Sequence, residues 1–428
     1  MTHVLDDLQW RGLVALASDL DALRAELSRG PVTYYGGFDP TAPSLHVGNL
    51  VLILTLRRLQ LAGHRPLALV GGATGLIGDP SGKSAERILN STEQVGEWVE
   101  RIRAQIAPFL DFSGSYAARM VNNLDWTAGL TAIEFLREIG KHFRVNKMIA
   151  KDAVSARLRS EDGISYTEFS YQILQGMDFL ELLKRYECRL QAGGSDQWGN
   201  LTAGSDLIRR VTGDSVHLLA TPLVTDAQGR KLGKSSGGGG LWLDPELTSP
   251  YAFYQYFINV EDAQVGSLLR IYTFLERAEI EELEKETAQR PAARAAQRRL
   301  AEEVTRLVHG ERETRQVVAA SQALFGRGEL DELAVDTLRA ALVEAGLVQV
   351  PAGSDGLLPS AAELLVATGL AGSRNQARRT VAEGGAYLNN QRISDADAPV
   401  STSELRHGRF LVLRRGRRVV AGVEGLLS

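Results

Sequence analysis

Apolar positions along the first half of the chain form two successive patterns. Leucines at helical spacing among acids and arginines fill the first thirty residues, which predicts amphipathic packing helices. Short apolar runs and helical segments then alternate: strand 32–39, helix 50–59, strand 66–70, helix 131–139, strand 189–192, helix 205–210 and strand 216–224. This alternation predicts a Rossmann-like α/β fold with a doubly wound, mainly parallel sheet. Such sheets bind ligands at the carboxyl ends of their strands.

The pattern changes near residue 248. Glu, Ala, Arg and Leu at helical spacing dominate residues 248–325, which predicts a separate α-helical domain. Residues 326–357 contain the best linker candidate, and a small α/β module is predicted for 358–428. With the α/β domain at 1–247, this organisation agrees with a length of 428 residues, which is too long for one compact core.

Charge and composition narrow the class of protein. The hydrophobic fraction of 44% is ordinary for a globular protein, and no apolar stretch is long enough to span a bilayer. The N-terminus lacks a signal peptide and the single cysteine is Cys188, so we expect a cytoplasmic protein with no metal site. Residues 371–428 hold ten arginines and five acids, a local charge of +5 within a chain of −4, which suggests an anionic partner.

The first candidate for chemistry lies where a predicted strand gives way to a helix. Residues 40–50 read PTAPSLHVGNL. Backbone N–H groups at a helix N-terminus attract anions, Gly48 permits close approach of a nucleotide, and His46 can donate a hydrogen bond to phosphate. By itself this motif is weak, because a histidine near a glycine also occurs as a helix cap or in a core.

The second candidate is a glycine-rich loop after the last predicted strand. Residues 226–240 read DAQGRKLGKSSGGGG, with Lys231 and Lys234 three residues apart. Lysines in such a loop can stabilise the charge that develops on the α-phosphate and on departing pyrophosphate. A solvated surface turn is the simpler interpretation of this loop when it is considered alone.

Together the two segments resemble, in order and spacing, the HIGH and KMSKS signatures of class I aminoacyl-tRNA synthetases. Segments 34–48, 69–81, 169–179 and 193–200 also look like bacterial tyrosyl-tRNA synthetases, and the resemblance covers nearly the whole chain. It implies tyrosine–tRNA ligase activity: ATP activates tyrosine as tyrosyl-adenylate, and tyrosine passes to the 3′ end of tRNA(Tyr). The implied assembly is a homodimer, with ATP as substrate, Mg²⁺ on the ATP and no tightly bound cofactor.

The resemblance also assigns roles to residues. Asp178 and Tyr35 are expected to meet the phenolic hydroxyl of tyrosine. The other tyrosine-binding residues are expected to be Asp79, Tyr171, Gln175 and Gln197. The ATP-binding residues are expected to be Asp39, Thr41, His46, Gly48, Asn49, Gly194, Asp196, Lys231 and Lys234, and the catalytic residues His46, Lys83, Arg87, Lys231 and Lys234. Spacings of four and three place Tyr171, Gln175 and Asp178 on one helical face.

Two departures from the signatures change details. Asn49 replaces the second histidine of the first signature, so an amide donor is expected to make that contact. In the second signature Leu232 and Gly233 replace methionine and the first serine, which keeps both lysines and loosens the loop.

The terminal segment resembles the RNA-binding domain of ribosomal protein S-four. Its expected tRNA-binding residues are Arg374, Arg378, Arg379, Arg414 and Arg415. The basic tail and the lysine loop disfavour a nucleotidyltransferase that acts without RNA, and the presence of His46, Lys231 and Asp178 disfavours an inactive RNA-binding paralogue. Tryptophanyl-tRNA synthetase is the nearest enzyme alternative, but Tyr35 with Asp178 favours a phenol over an indole.

Overall fold

The computed structural model describes residues 3–80, 89–161, 163–225, 240–416 and 419–426. Contacts among residues divide the chain into two compact units. The first comprises 1–244 and 261–289, and the second comprises 245–260 and 290–428. Within the described residues, no helix combines the length and the apolar character needed to cross a membrane.

The first unit is built on a six-stranded sheet. Its strands are β1 (Leu16–Ala17), β2 (Thr33–Phe38), β3 (Arg65–Val70), β4 (Arg119–Asn122), β5 (Cys188–Gly194) and β6 (His217–Thr221). They are arranged β1-β6-β5-β2-β3-β4, and all neighbours are parallel except the short edge strand β1. The predicted parallel α/β sheet is therefore confirmed.

Helices connect and cover these strands. In the first unit they are α1 (Val4–Trp10), α2 (Leu20–Arg29), α3 (Val47–Leu61), α4 (Thr74–Ile77), α5 (Thr92–Ile106), α6 (Leu124–Thr127), α7 (Ala132–Glu134), α8 (Val145–Ile149), α9 (Asp152–Leu158), α10 (Tyr166–Tyr186), α11 (Trp198–Val211), α13 (Asp262–Tyr272) and α14 (Arg277–Gln289). Eleven of the fifteen residues of α3 are buried, because this helix crosses directly between β2 and β3. Helices α10 and α11 pack closely on each other and on β5.

Two buried arginines hold α13 within the first unit. The Arg11 guanidinium donates to the carbonyls of Arg270, Thr273 and Leu275 at 2.9–3.1 Å. Arg58 of α3 donates to Thr273 O at 2.6 Å. These cations meet the carbonyl end of α13, where the helix dipole is negative. The sequence assigned 248–325 to one helical domain, whereas contacts group 261–289 with the sheet.

The second unit combines helices with a five-stranded sheet and a separate two-stranded sheet. Its helices are α12 (Pro250–Ile258), α15 (Ala295–Ala323), α16 (Val335–Ala345), α17 (Ala361–Ala367) and α18 (Arg374–Ala382). Its strands are β7 (Leu347–Pro351), β8 (Leu357–Ser360), β9 (Ala386–Leu388), β10 (Gln391–Arg392), β11 (Pro399–Ser401), β12 (Phe410–Arg415) and β13 (Val419–Leu426). Region 326–357, expected to be a linker, contains α16 and β7, and β7 pairs in parallel with β13.

Candidate active site

Polar side chains or a glycine follow four of the parallel strands that end at one edge of the sheet. Asp39 follows β2, Gly71 follows β3, Asn123 follows β4 and Ser195 follows β5. Because these strands are parallel neighbours, their carboxyl ends meet. The chain leaves β2 for β3 on one side, while β5 lies on the other, which makes this edge a topological switch point where α/β proteins bind ligands.

Asp178 of α10 lies beneath this edge and is 1% exposed. Its carboxylate accepts hydrogen bonds from Asn123 Nδ2 at 3.0 Å and from Trp126 Nε1 at 2.9 Å. Burial raises the pKa of Asp178 to about 7, although these two hydrogen bonds act in the opposite direction. Two neutral donors thus hold a buried acceptor whose ionisation is poised near neutrality.

Tyr35 of β2 brings a phenolic hydroxyl into the core near Asp178. Its ring lies 5.2 Å from that of Phe179, and the side chain is 1% exposed. Within the described part of the chain, its buried hydroxyl has no hydrogen-bond partner. Burial, and then the neighbouring Asp178 carboxylate, raise the pKa of Tyr35 well above its usual value. A buried hydroxyl of this kind is costly unless a ligand pairs with it.

Asp39 links the ends of β2 and β3 to α10. It accepts from Thr74 Oγ1 at 2.7 Å and from the Tyr171 hydroxyl at 2.6 Å. Burial and the Asp39 carboxylate raise the pKa of Tyr171 well above normal. Only glycine fits at position 71, because an added Cβ would lie 2.1 Å from Asp39 Oδ1 and 2.2 Å from Thr74 Oγ1.

The remaining tyrosine-binding residues expected from the sequence are Asp79, Gln175 and Gln197. Gln197 Nε2 donates to Asp79 Oδ2 at 2.8 Å, and Asn200 Nδ2 donates to Gln197 Oε1 at 3.0 Å. Gln175 Oε1 is buried without a partner among the described residues. An ammonium group requires several oxygen acceptors, and this part of the site offers a carboxylate and amide oxygens.

His46 is the N-cap residue of α3 and belongs to a capping box. The Nδ1 atom of His46 accepts from the backbone N–H of Gly48 at 3.0 Å, and the backbone N–H of His46 donates to Asn49 Oδ1 at 3.1 Å. The amide oxygen of Asn49 is therefore committed to the cap, and a contact with ATP would come from its NH₂ group. Thr41 is exposed, and its N–H donates to Asp39 O at 2.9 Å.

Asp196 lies on a short helical turn, Ser195–Gln197, after β5. An added Cβ at Gly194 would lie 2.7 Å from Asp196 Oδ1, so glycine permits this approach. Asp196 borders a cavity of about 480 Å³ that is also lined by Ser195, Trp198 and Lys151. This volume lies within the range of small-molecule sites, about 300–1,000 Å³.

Four expected cationic residues cannot be placed. Lys83 and Arg87, and also Lys231 and Lys234, lie outside the described residues.

The expected tRNA-binding arginines separate into two groups. Arg374, Arg378 and Arg379 of α18 are 50–73% exposed and pair with Glu363, Asp397 and Glu383 at 2.6, 2.9 and 4.0 Å respectively. Arg414 differs: it is 8% exposed, its guanidinium lies 4.1 Å from the Tyr387 ring centroid, and Nη1 donates to Gly416 O. We therefore leave Arg414 out of the proposed tRNA surface. Arg415, the last residue of β12, is half-buried.

Sequence reasoning missed three partners of the predicted site residues. Asn123 and Trp126 hold Asp178, and Thr74 holds Asp39. The signal for Asn123 was the short strand β4, whose four residues were not recognised as part of the sheet. With that strand identified, a polar residue directly after it would have been a candidate.

The fold and site agree with comparisons to known proteins. Residues 27–326 match the family model described as tRNA synthetases class I (W and Y). Residues 355–420 match the tyrosine–tRNA ligase SYY-like C-terminal domain. The chain is 62% identical over 427 residues to the tyrosine–tRNA ligase of Acidothermus cellulolyticus, with 99% of each chain covered.

Solved structures show the same relationship. The C-terminally truncated mitochondrial tyrosyl-tRNA synthetase of Coccidioides posadasii is 31% identical, with a TM-score of 0.65, and the match covers 74% of this chain and 91% of that one. The corresponding truncated enzyme of Aspergillus nidulans is 29% identical, with a TM-score of 0.69 and coverage of 76% and 95%. The chain therefore belongs to the tyrosine–tRNA ligase family of class I tRNA synthetases.

Proposed function

We infer that the protein is a tyrosine–tRNA ligase, which activates tyrosine with ATP and transfers it to the 3′ end of tRNA(Tyr). The observation that carries this inference, within a family that includes enzymes for tryptophan and for tyrosine, is the buried pair of Asp178 and Tyr35. A phenolic hydroxyl can donate to Asp178 and accept from Tyr35 at once. An indole N–H can only donate, which would leave the Tyr35 hydroxyl unpaired.

The phenol pocket selects against phenylalanine through unpaired polar groups. Without a substrate hydroxyl, the Asp178 carboxylate loses a hydrogen bond that it would accept. The Tyr35 hydroxyl remains buried without a partner among the described residues. Leaving such groups unsatisfied costs about 1–3 kcal/mol each, and more for charged groups. Asn123 and Trp126 serve by holding the carboxylate in place.

The tyrosine ammonium is assigned to Asp79, Tyr171 and Gln175, with Gln197 near the carboxyl group. The Tyr171 hydroxyl donates its hydrogen to Asp39, so its oxygen remains available to accept a hydrogen bond from the ammonium. Asp79 supplies the negative charge, and the contact with Gln197 fixes its orientation. These groups place the tyrosine carboxylate for attack on the α-phosphate, so catalysis rests on positioning.

ATP is assigned to the first signature and to the end of β5. His46 Nε2 donates to phosphate, and Thr41 and Asn49 belong to the same segment, 40–50. Asp196, next to Gly194, accepts from the ribose hydroxyls. Asp39 directly follows β2 and precedes the first signature in the chain. Lys83, Arg87, Lys231 and Lys234, outside the described residues, would stabilise departing pyrophosphate.

Magnesium is proposed to arrive with ATP. Mg²⁺ prefers phosphate oxygens supplemented by one or two carboxylates. Among the described residues, Asp39 accepts hydrogen bonds from Thr74 and Tyr171, and Asp79 accepts one from Gln197, so these engaged carboxylates suit a metal held mainly by the nucleotide. Bound there, it would neutralise charge on the phosphates.

A homodimer and a tRNA surface complete the proposal. Between residues 133 and 166 the exposed apolar side chains are Ile133, Leu136, Val145, Ile149, Leu158 and Tyr166, which are 42–71% exposed. An apolar concentration of this kind supports a subunit interface.

The tRNA phosphates are proposed to contact Arg374, Arg378, Arg379 and Arg415. The protein is proposed to act in the cytoplasm.

The test of the function is pyrophosphate exchange with each of the twenty amino acids, followed by charging of tRNA(Tyr). Tyrosine alone is expected to support exchange. Exchange with tryptophan at a comparable rate would contradict the role given to Tyr35 and Asp178. Sedimentation of the wild type and of Ile133→Glu tests the dimer, since a charge in an apolar interface should release monomers.

A further inference from the structure

The backbone that carries His46 is held from several sides. Leu45 N–H donates to Gln105 Oε1 of α5 at 2.8 Å. Val47 O accepts from the Tyr272 hydroxyl at 3.0 Å, and Tyr272 is fully buried. Segment 44–47 is thus fixed by α5 on one side and by the end of α13 on the other.

A third contact comes from the chain that follows the second signature. Val47 N–H donates to Leu241 O at 3.0 Å, and Leu243 N–H donates to Leu45 O at 2.8 Å. These two bonds flank an antiparallel bridge between His46 and Trp242. The ring centroids of His46 and Trp242 are 6.2 Å apart and the rings are inclined at 50°. This lies within the range of 4.5–7 Å at which aromatic rings attract each other.

The two contacts of the His46 ring complement each other. Gly48 N–H donates to Nδ1, so Nδ1 carries no proton and the neutral imidazole bears it on Nε2. This bond fixes the tautomer but still permits the ring to tilt about it. The half-buried Trp242 ring lies beside the imidazole, in a position to limit that tilt.

We propose that Trp242 is a positioning residue for His46 in tyrosine activation, an inference that rests on the proposed function. Trp242 keeps Nε2–H directed to the phosphate as charge develops on it. A misplacement of about 1 Å can cost up to about 10²-fold in rate. Because the contact is with a residue assigned to ATP, losing it should reduce the rate of activation without reducing tyrosine affinity.

The experiment measures tyrosyl-adenylate formation by stopped flow for the full-length wild type, Trp242→Ala and Trp242→Phe. Trp242→Ala should slow activation about tenfold, with the dissociation constant of tyrosine unchanged within twofold. Trp242→Phe retains a ring at the bridge and should recover most of the rate. A loss in Trp242→Ala that falls equally on tyrosine affinity would overturn the proposal, and so would a rate for Trp242→Phe no better than that of alanine.

A matched control separates positioning from lost stability. Trp10 is a half-buried tryptophan of the same unit whose ring packs on the guanidinium groups of Arg11, Arg270 and Arg277. Trp10→Ala should lower the melting temperature at least as much as Trp242→Ala and leave the activation rate within about twofold. If Trp10→Ala slows activation equally, the effect of Trp242 is one of stability.

The decisive arm is a double-mutant cycle with His46→Ala. If Trp242 acts through His46, adding Trp242→Ala to His46→Ala should change the rate less than twofold. A full additional tenfold loss in that background would overturn the inference, although the enzyme would still be a tyrosine–tRNA ligase. Failure of the proposed function is distinct, because the wild type itself would then show no tyrosine-dependent exchange.

Discussion

The proposed tyrosine pocket and the arginine surface on α18 hold charged groups in opposite ways. In the pocket, Asp178 is 1% exposed and neutral N–H donors hold its carboxylate. On α18, Arg374 and Arg378 are 64% and 50% exposed and pair with acids of their own unit.

Buried hydrogen bonds of the first kind give specificity, whereas exposed ion pairs of the second kind give affinity. Within the part of the chain that the structure describes, the buried Asp178 carboxylate pairs with N–H donors and with no cation, so the loss of a substrate hydroxyl is expected to be costly. An exposed ion pair is worth little because water and salt screen both partners, and RNA phosphate can replace the acid at small cost.

Asp178→Ala should have the largest effect. It removes the acceptor for the substrate hydroxyl and leaves the N–H donors of Asn123 and Trp126 unpaired, so kcat/KM for tyrosine should fall by about 10²-fold or more. The dissociation constant of ATP should change little. The control is Glu181→Ala on the same helix, where the acid pairs with Lys184 and Arg185 near the surface. Unchanged tyrosine kinetics in Asp178→Ala would remove this residue from the pocket.

Replacing Arg374, Arg378 and Arg379 together by alanine should weaken tRNA binding about tenfold at moderate salt. Each lost phosphate contact lowers the slope of log affinity against log salt by about 0.7–0.9. Pyrophosphate exchange should stay at the wild-type rate, because activation needs no tRNA. Arg277→Ala, an exposed arginine paired with Glu281 in the other unit, provides the control. An unchanged salt slope in the triple variant would place the RNA surface elsewhere.

Trp126→Phe should shift the pH dependence of tyrosine use. Removing one N–H donor from the carboxylate raises the pKa of Asp178 above its value of about 7. A neutral hydrogen bond is worth about 1 kcal/mol, so the shift stays below about one unit and kcat/KM at pH 7 falls roughly two- to fivefold. The loss should disappear near pH 9. A loss that persists equally at high pH would mean that Trp126 acts by packing alone.

The ionisation of Asp178 also makes the free energy of unfolding depend on pH. The folded pKa of Asp178 lies above the unfolded value of about 3.9. Its contribution to the free energy of unfolding is therefore complete below about pH 4 and is lost as pH rises through about 7. Asp178→Asn should remove that part of the pH dependence in the ligand-free protein, as measured by urea unfolding between pH 4 and 8.

Asp397→Asn should have the smallest effect. Asp397 accepts from Arg378 Nε at 2.9 Å with both side chains at least half exposed, so the unfolding midpoint should not change measurably. With this competing carboxylate neutralised, tRNA binding should strengthen by less than about twofold. Marked destabilisation would contradict the contrast between the two regions.

Local patterns were enough to identify the main elements of the α/β unit. Apolar runs located β2, α3 and β3 to within three residues at each end, because elements that are buried on most sides carry nearly continuous apolar sequence. The strand β4 was missed because its four residues are too short to display a period. The terminal arginines were found by composition, but composition could not separate exposed Arg374 from buried Arg414.

The sequence by itself determined the chemistry available at the ends of the strands: a histidine cap, carboxylates, phenols and amides in motifs of this family. Only the tertiary structure decided how they meet. Asp39 and Tyr171 lie 132 residues apart and share a hydrogen bond of 2.6 Å, and Asn123 reaches Asp178 across 55 residues. Strand order and helix packing set these pairings together: parallel strands bring Asp39 and Asn123 to one edge of the sheet, and α10 carries Tyr171 and Asp178 to that edge.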